Sequence, residues 1–203
     1  MPEIRLLTEE FVELNPFIQF DKWYKEHLKS DIAIADSVSL GTSSHDGRVS
    51  VRIVLLKDYN DAGFTFFTNY NSKKGVQLSS NRSAALLFYW PDLGRQVRIE
   101  GVTEKVSVDE SDKYFKTRPR ESQLAAWTSE QSSVIPSRNY LEQQYEMYDK
   151  KFNNNQVARP ERWGGYTLIP DWFEFWHDGK SRLHDRIIYT KGETAWKIER
   201  LAP

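Results

Sequence analysis

Hydrophobic residues occur mainly in short strand-like runs bounded by polar turn residues such as Asp46-Gly47 and Asp61-Ala62-Gly63. These runs predict strands at Asp36–Ser43, Arg48–Lys57, Phe64–Thr68, Ala84–Trp90 and Gln96–Val106. Short strands joined by such turns indicate an antiparallel sheet that closes into a barrel.

Helical patterns precede and interrupt the strands. They predict helices at Pro16–Lys29, from the Ser107 capping box to Thr117, at Pro119–Trp127 and at Ser137–Phe152. Strand patterns then return at Trp163–Ile169, Trp172–His177, Ser181–Tyr189 and Ala195–Arg200. With no linker long enough to separate domains, we expect residues 17–203 to form one α+β domain after a flexible segment, residues 1–16.

Composition and the absence of known motifs exclude several classes of function. The 203 residues carry a formal net charge of -1, which gives no general reason to expect binding to nucleic acid or an anionic membrane. Cysteine is absent, so disulfides and thiol catalysis are excluded. The sequence shows no membrane span, zinc spacing, G-x-G-x-x-G strand–helix motif or Walker lysine loop. We therefore expect a cytoplasmic protein without a metal, in which any basic site is local.

One basic site is predicted near the C-terminus. Asp178-Gly179 indicates a two-residue hairpin, and on a following strand Arg182, His184 and Arg186 would share one face. An anionic or electron-rich ligand would explain this row of cations. A charged edge strand that discourages aggregation would explain it equally well, and the spacing does not decide between them.

Other cations are candidates for anion binding, but their sequence patterns are less specific. Ser72 is a candidate N-cap that would place Lys73 and Lys74 in a first helical turn, either as a phosphate site or as a frayed, solvated turn. Arg52 and Lys57 bracket an apolar run expected to be a buried strand; their opposite parity sends them to opposite faces unless Lys57 lies beyond the strand end.

Two polar groups could add hydroxyl and amide donors. Tyr114, Arg118 and Ser122 are spaced four apart around Pro119, so they could converge on a phosphate or simply form an exposed helix end. Gln131-Ser132-Ser133 is a polar loop that could contribute to a phosphate site or be an ordinary turn.

Taken together, these segments resemble the pyridoxamine 5′-phosphate oxidase family. The longest matching motif is F-E-F-W-H-D-G-K-S-R-L-H-D-R at 173–186. R-I-V-L-L-K, F-F-T-N, S-K-K, R-Q-V-R, Y-F-x-x-R-P-R-x-S-Q, W-x-S-x-Q-S-S and W-K-I-x-R-L-A-P occur in the expected order. The likeness extends from about Phe17 to Pro203.

The resemblance implies an FMN-binding split β-barrel that forms a homodimer with FMN at the subunit interface. The implied reaction oxidises pyridoxamine 5′-phosphate or pyridoxine 5′-phosphate to pyridoxal 5′-phosphate, with O2 as acceptor and H2O2 as product. The nearest alternatives are another flavin split-barrel reductase and a non-catalytic protein that binds FMN or pyridoxal 5′-phosphate.

The resemblance also implies residue roles. The FMN-contact positions are Arg52, Ile53, Val54, Leu55, Leu56, Lys57, Phe67, Thr68, Lys73, Lys74, Gln96, Gln131, Ser132, Trp176 and Arg186. The substrate positions are Lys57, Tyr114, Arg118, Ser122, Arg182, Leu183 and His184, of which Arg182 and His184 lie beside the reacting end and are the catalytic candidates.

Two positions and one segment depart from the family pattern. Lys73 stands where we expect Arg, and Phe67 where Tyr is frequent. The acidic segment before Phe17 lacks the Arg-Arg-x-Tyr element that some members fold over the substrate, so we do not expect a lid from it.

Overall fold

The computed structural model describes residues 7–29, 34–153 and 155–203. Within these ranges the chain forms nine β-strands in one antiparallel sheet and five α-helices. The strands are β1 Ser37–Ser43, β2 Val49–Leu55, β3 Asp58–Asn60, β4 Gly63–Asn69, β5 Ser83–Trp90, β6 Arg95–Lys105, β7 Trp163–His177, β8 Asp185–Lys191 and β9 Trp196–Arg200. The helices are α1 Pro16–His27, α2 Lys73–Ser80, α3 Val108–Thr117, α4 Arg120–Thr128 and α5 Arg138–Phe152.

The strands follow the order β2-β1-β5-β6-β7-β4-β3, with β8 and β9 added beside β7. The sheet curls into a half-barrel around an apolar core in which Phe20, Phe64, Phe88 and Phe173 are fully buried. Phe20 of α1 packs edge-on against Phe64 and Phe88, with ring centroids 4.9 Å apart in both pairs. The predicted α+β class and mainly antiparallel split barrel with flanking helices are therefore confirmed.

Strand β7 joins two strands that the sequence pattern separates. Its 15 residues run through Pro170 because the pairing with β6 shifts between Glu100 and Gly101. A bulge of this kind tolerates a proline within a sheet. One continuous strand therefore connects two distant parts of the molecule.

The predicted hairpin at Asp178-Gly179 is wrong. His177 pairs with Asp185, so residues 178–184 form a longer connection containing a 3-10 turn at Lys180–Arg182. Ser181 and Arg182 have φ of 56° and 63°, a left-handed conformation that interrupts strand pairing. Arg182 and His184 therefore do not share a strand face with Arg186.

The N-terminal segment has contacts from Leu7 onward. The Leu7 amide donates to Asp185, and Arg200 bonds to the Leu7 carbonyl and to Glu9. Residues 1–6 of the segment expected to be flexible lie outside the described residues. Across the described ranges, each helix is too short or too polar to cross a bilayer.

Candidate active site

A cavity of about 580 Å³ opens beside the ends of β2 and β4 and the kink between α3 and α4. It brings together many of the predicted site residues, which come from five separate segments: Ile53, Val54, Leu55, Lys57, Phe67, Thr68, Lys74, Tyr114, Arg118, Ser122 and Gln131. Leu56 is buried in the core instead. The segments that appeared unrelated along the sequence thus meet at one place.

Lys74 lines one part of this cavity. The predicted cap is present, because the Ser72 hydroxyl accepts from the Gly75 amide at the start of α2. The Lys74 ammonium is buried and donates to Thr68 Oγ1 at 3.0 Å and Gln131 Oε1 at 2.8 Å. Burial, together with the positive charge of Arg52, lowers the pKa of Lys74 to about 8. The alternative of two solvated lysines is therefore wrong for Lys74, whereas Lys73 is exposed.

Arg52 does not line the cavity itself but is near enough to Lys74 for its charge to act on it, and it is held by the sheet. Its guanidinium donates to Thr42 Oγ1 at 2.6 Å and the Leu40 carbonyl at 3.0 Å, and it lies 3.4 Å from Gln77 Oε1. Burial lowers the pKa of Arg52. Two cations crowded into a partly buried site repel each other, and an anion between them would relieve that repulsion.

Arg118 lines another part of the cavity. Its guanidinium lies over the Trp163 ring, 4.5 Å from the centroid. The Arg118 Nη1 atom is buried and has no hydrogen-bond partner among the described residues. A buried donor without an acceptor is costly, so this part of the cavity favours an incoming oxygen ligand.

Tyr114 and Ser122 line the cavity with Arg118, which confirms that the three side chains converge at the α3–α4 kink. Tyr114 stacks on Phe67 with centroids 3.9 Å apart, and Phe67 stacks in turn on Trp163 at 5.4 Å. The phenylalanine at position 67 therefore keeps an aromatic support for Tyr114.

Lys57 lies beyond the end of β2, as one alternative predicted. Its ammonium is 2.5 Å from the Asp36 carboxylate, and both side chains are partly exposed. The expectation that Arg52–Lys57 contains a buried strand is partly wrong. Val54 and Leu56 are buried, whereas Ile53 is 61% exposed on an edge strand.

A second group of predicted residues lies elsewhere. Gln96, Trp176 and Arg186 pair in one row across β6, β7 and β8. The His184 ring is 4.7 Å from that of Trp176, and its Nδ1 lies 3.2 Å from the Gly179 amide and 3.0 Å from Asp178 Oδ1. Arg182 and Leu183 are exposed on the connecting turn.

The two groups occupy opposite ends of β7. Thr68 pairs with Gly164 near the start of the strand, and Gln96 pairs with Trp176 near its end. Positions 164 and 176 are twelve residues apart, roughly 40 Å along a strand that rises about 3.3 Å per residue. Gln96, Trp176, Arg182, His184 and Arg186 do not line the cavity. One chain therefore does not bring all the predicted site residues together.

Supporting residues were missed by the sequence reasoning. Thr42 and Gln77 hold Arg52, Asp36 pairs with Lys57, and Trp163 supports Arg118. These contacts join residues far apart in the chain, and only a correct strand register could have revealed them. The Asp36–Lys57 pair, for example, follows from the pairing of Ser37 with Leu55.

The fold and site define a split-barrel protein with a cavity lined by cationic side chains at the edge of its sheet. The family model for pyridoxamine 5′-phosphate oxidase matches residues 24–151, and the model for the pyridoxine 5′-phosphate oxidase C-terminal dimerisation region matches residues 163–203. The chain belongs to the pyridoxamine 5′-phosphate oxidase family, which confirms the resemblance.

Curated relatives match almost the whole chain. Pyridoxine/pyridoxamine 5′-phosphate oxidase of Nostoc punctiforme is 50% identical over 198 residues, covering 97% of this chain and 92% of the relative. The protein of the same name from Burkholderia lata is 50% identical over 200 residues, covering 97% and 93%.

A related solved structure is PhzG from Burkholderia lata in complex with tetrahydrophenazine-1-carboxylic acid. It has a TM-score of 0.91 and 27% identity, with 98% of this chain and 99% of PhzG covered. The chain is thus similar both to oxidases named for B6 phosphates and to a protein seen with a different ligand.

Proposed function

We propose that the protein is an FMN-dependent oxidase that converts pyridoxamine 5′-phosphate and pyridoxine 5′-phosphate to pyridoxal 5′-phosphate. O2 would accept the electrons and leave as H2O2. The observation that carries this proposal is the presence of two separate cation groups beside one cavity, around Lys74 and around Arg118. Two phosphorylated molecules that meet in one cavity need two such groups.

The cation group around Lys74 fits the phosphate of FMN. Arg52, Lys73, Lys74, Thr68, Gln131 and Ser132 would hold it, and a phosphate dianion would favour the charged form of Lys74 whose pKa is low without a ligand. Bound FMN would supply the acceptor for the two electrons. The contribution of this chain is to bind and orient the flavin beside the second ligand.

The cation group around Arg118 fits the phosphate of the substrate. Arg118 offers an unpartnered buried donor, Lys57 adds a charge, and the Tyr114 and Ser122 hydroxyls line the same wall. This arrangement favours a phosphorylated substrate over a ligand that carries only a carboxylate on a ring system, because a phosphate can accept from all four groups. Arg182 and His184 would position the reacting end of the substrate.

A homodimer would complete the site. The second group at the end of β7 would reach the cavity of a second copy of the chain, since it does not reach the cavity of its own. Val49, Val51 and Ile53 are 72%, 67% and 61% exposed on the edge strand β2, and an apolar strand face of this kind is typical of a covered surface. The match to a C-terminal dimerisation region supports the same assembly. The cytoplasmic location stays a prediction.

The direct test is reconstitution followed by turnover. The protein is incubated with FMN, freed of excess flavin, and given pyridoxine 5′-phosphate in air. We expect stoichiometric yellow flavin, formation of the aldehyde and release of H2O2. Bound flavin without turnover would favour a binding protein. Turnover of unphosphorylated pyridoxine as fast as of the phosphate ester would contradict the assigned substrate class.

A further inference from the structure

The carboxylate of Glu174 is 2% exposed although it lies on the face of β7 opposite the aromatic core. It shares that face with Trp176 and Arg186, two of the predicted FMN contacts. We infer that Glu174 is a positioning residue that fixes the guanidinium of Arg186 for contact with the flavin. The inference rests on the proposed function and adds a residue to it.

Two guanidiniums donate hydrogen bonds to the Glu174 carboxylate, one to each oxygen. Arg186 Nε donates to Glu174 Oε1 at 2.7 Å, and Arg98 Nη1 donates to Oε2 at 3.0 Å. With one strong donor on each oxygen, the carboxylate has a single favourable orientation. Arg98 is itself held by Glu100 at 2.6 Å and lies over the Trp172 ring at 5.2 Å.

Arg186 is held at a second point. Its Nη1 donates to the Ala202 carbonyl at 2.9 Å, while Nη2 makes no hydrogen bond within the described part of the chain. The hydrogen bond with Glu174 raises the pKa of Arg186. The Arg186 guanidinium is therefore fixed by hydrogen bonds at Nε and Nη1, and its Nη2 group could donate to a ligand beside Trp176.

The different exposure of the three side chains supports a role of Glu174 in orienting Arg186. The Glu174 side chain is 2% exposed to solvent, whereas the side chains of Arg98 and Arg186 are 41% and 26% exposed. A buried ion pair usually gains little net stability, because desolvation offsets the attraction. The role that we infer for this pair is a fixed geometry, because the Arg186 guanidinium is the group whose position a bound flavin would require.

The chain offers a matched control for this inference. Glu174→Gln keeps the size of the side chain but replaces one acceptor oxygen with a donor, so one guanidinium loses its partner. Glu100→Gln removes a carboxylate from the same Arg98 on the same face without touching Arg186. The two variants differ in whether Arg186 is affected.

The experiment measures FMN binding to apoprotein by quenching of flavin fluorescence. The variants are wild type, Glu174→Gln, Glu100→Gln, Arg186→Lys and the double variant Glu174→Gln/Arg186→Lys. We expect Glu174→Gln to weaken FMN binding roughly tenfold and Glu100→Gln to change it less than about twofold. The double variant should bind FMN no more weakly than Arg186→Lys alone, because Glu174 acts through Arg186.

The outcomes separate the inference from the proposed function. Wild-type apoprotein that fails to bind FMN would overturn both. Weak binding by Arg186→Lys with wild-type binding by Glu174→Gln would overturn the inference and leave the function intact. If Glu174→Gln does not fold, Glu174→Asp keeps the charge but withdraws it from Arg186 by one methylene. Weakened FMN binding by Glu174→Asp supports positioning, and wild-type binding overturns it.

Discussion

Predicted site residues lie near both ends of strand β7, but those near its start are fixed by more contacts than those near its end. At the start of the strand, Lys74, Arg52 and Arg118 line or support a cavity and are fixed by hydrogen bonds or aromatic contacts. At its end, Arg182 lies exposed on a turn with left-handed backbone, and His184 contacts Gly179 of that turn and the ring of Trp176. One chain therefore builds the cavity at one end of β7 and exposes Arg182 at the other, and in the proposed homodimer the exposed group would meet a ligand in the cavity of the second copy.

Removing Arg118 should have the largest effect. Arg118→Ala deletes the unpartnered donor of the proposed substrate-phosphate site, and loss of a charged hydrogen bond to phosphate is expected to raise KM for pyridoxine 5′-phosphate about 100-fold. Steady-state kinetics with pyridoxine 5′-phosphate and with unphosphorylated pyridoxine would measure it. Turnover of pyridoxine should change little.

Arg120→Ala is the matched control for Arg118→Ala. Arg120 lies two residues further along but bonds to the carbonyls of Asn153 and Asn155, away from the cavity. Its substitution should leave KM within about twofold of wild type, since a surface contact contributes little. Equal losses on the phosphorylated and unphosphorylated substrates would remove Arg118 from the phosphate site.

Mixed dimers would test the division between the two ends of β7. Arg118→Ala and Arg182→Ala chains are coexpressed with different tags and purified as heterodimers, and rates are compared at a pyridoxine 5′-phosphate concentration far below the raised KM of Arg118→Ala, where each homodimer is expected to be slow. If Arg118 and Arg182 of one site come from different copies, a heterodimer has one intact site and one doubly altered site. We expect about half of the wild-type rate. A rate no higher than that of either homodimer would place both arginines of a site in one chain.

The FMN content of the same samples adds a second measurement. Arg182→Ala should lower turnover far more than FMN affinity, because its assigned contact is with the substrate. An Arg182→Ala homodimer that purified without flavin would instead make Arg182 a cofactor ligand.

The sequence predicted the barrel better than it predicted the turn after β7. Strand alternation, the Ser107 capping box and the Ser72 cap are local signals, and the structure contains each of them. The turn at 178–184 failed because Asp178-Gly179 suggests a hairpin locally. In the structure the Asp178 amide bonds to the Gly94 carbonyl, and two left-handed residues follow. That contact is between residues far apart in sequence and has no local pattern.

The site shows the same limit. Spacing alone left Tyr114, Arg118 and Ser122 undecided, whereas the α3–α4 kink turns all three toward one cavity. The burial of Lys74 and of Glu174 could not be predicted from the sequence either, because the segments that cover these side chains come together only in the folded protein. Roles assigned from the family resemblance stay predictions at every one of these positions.

The protonation of Lys74 should produce a smaller, pH-dependent effect. Burial lowers its pKa to about 8 in the free protein, so above that pH FMN binding must take up a proton. We expect FMN affinity to be nearly constant from pH 7 to 8 and to fall up to about tenfold per pH unit above 8. Fluorescence titrations between pH 7 and 9.5 would measure it.

Lys74→Arg provides the control for that titration, because its guanidinium stays charged throughout the range. Its affinity should be almost independent of pH. The stability of the apoprotein has the opposite trend. Between pH 8 and the ordinary lysine pKa of about 10.4, the unfolded chain holds the extra proton, so the free energy of unfolding rises with pH. An FMN affinity that stays constant up to pH 9.5 in the wild type would contradict the prediction that FMN binding draws a proton onto a Lys74 of lowered pKa.

The smallest expected effect is at Lys73, beside the buried Lys74. Lys73 is exposed, and its backbone amide donates to Ser132 Oγ at 3.1 Å, so the side chain starts next to the polar loop that would hold the FMN phosphate. Lys73→Arg replaces a point charge with a fork that can donate twice to a phosphate. We expect FMN to bind about two- to fivefold more tightly. Lys150→Arg on α5 controls for a general effect of arginine on the surface. Unchanged or weaker FMN binding by Lys73→Arg would mean that the side chain at position 73 does not reach the phosphate, and that this cation group consists of Arg52 and Lys74 alone.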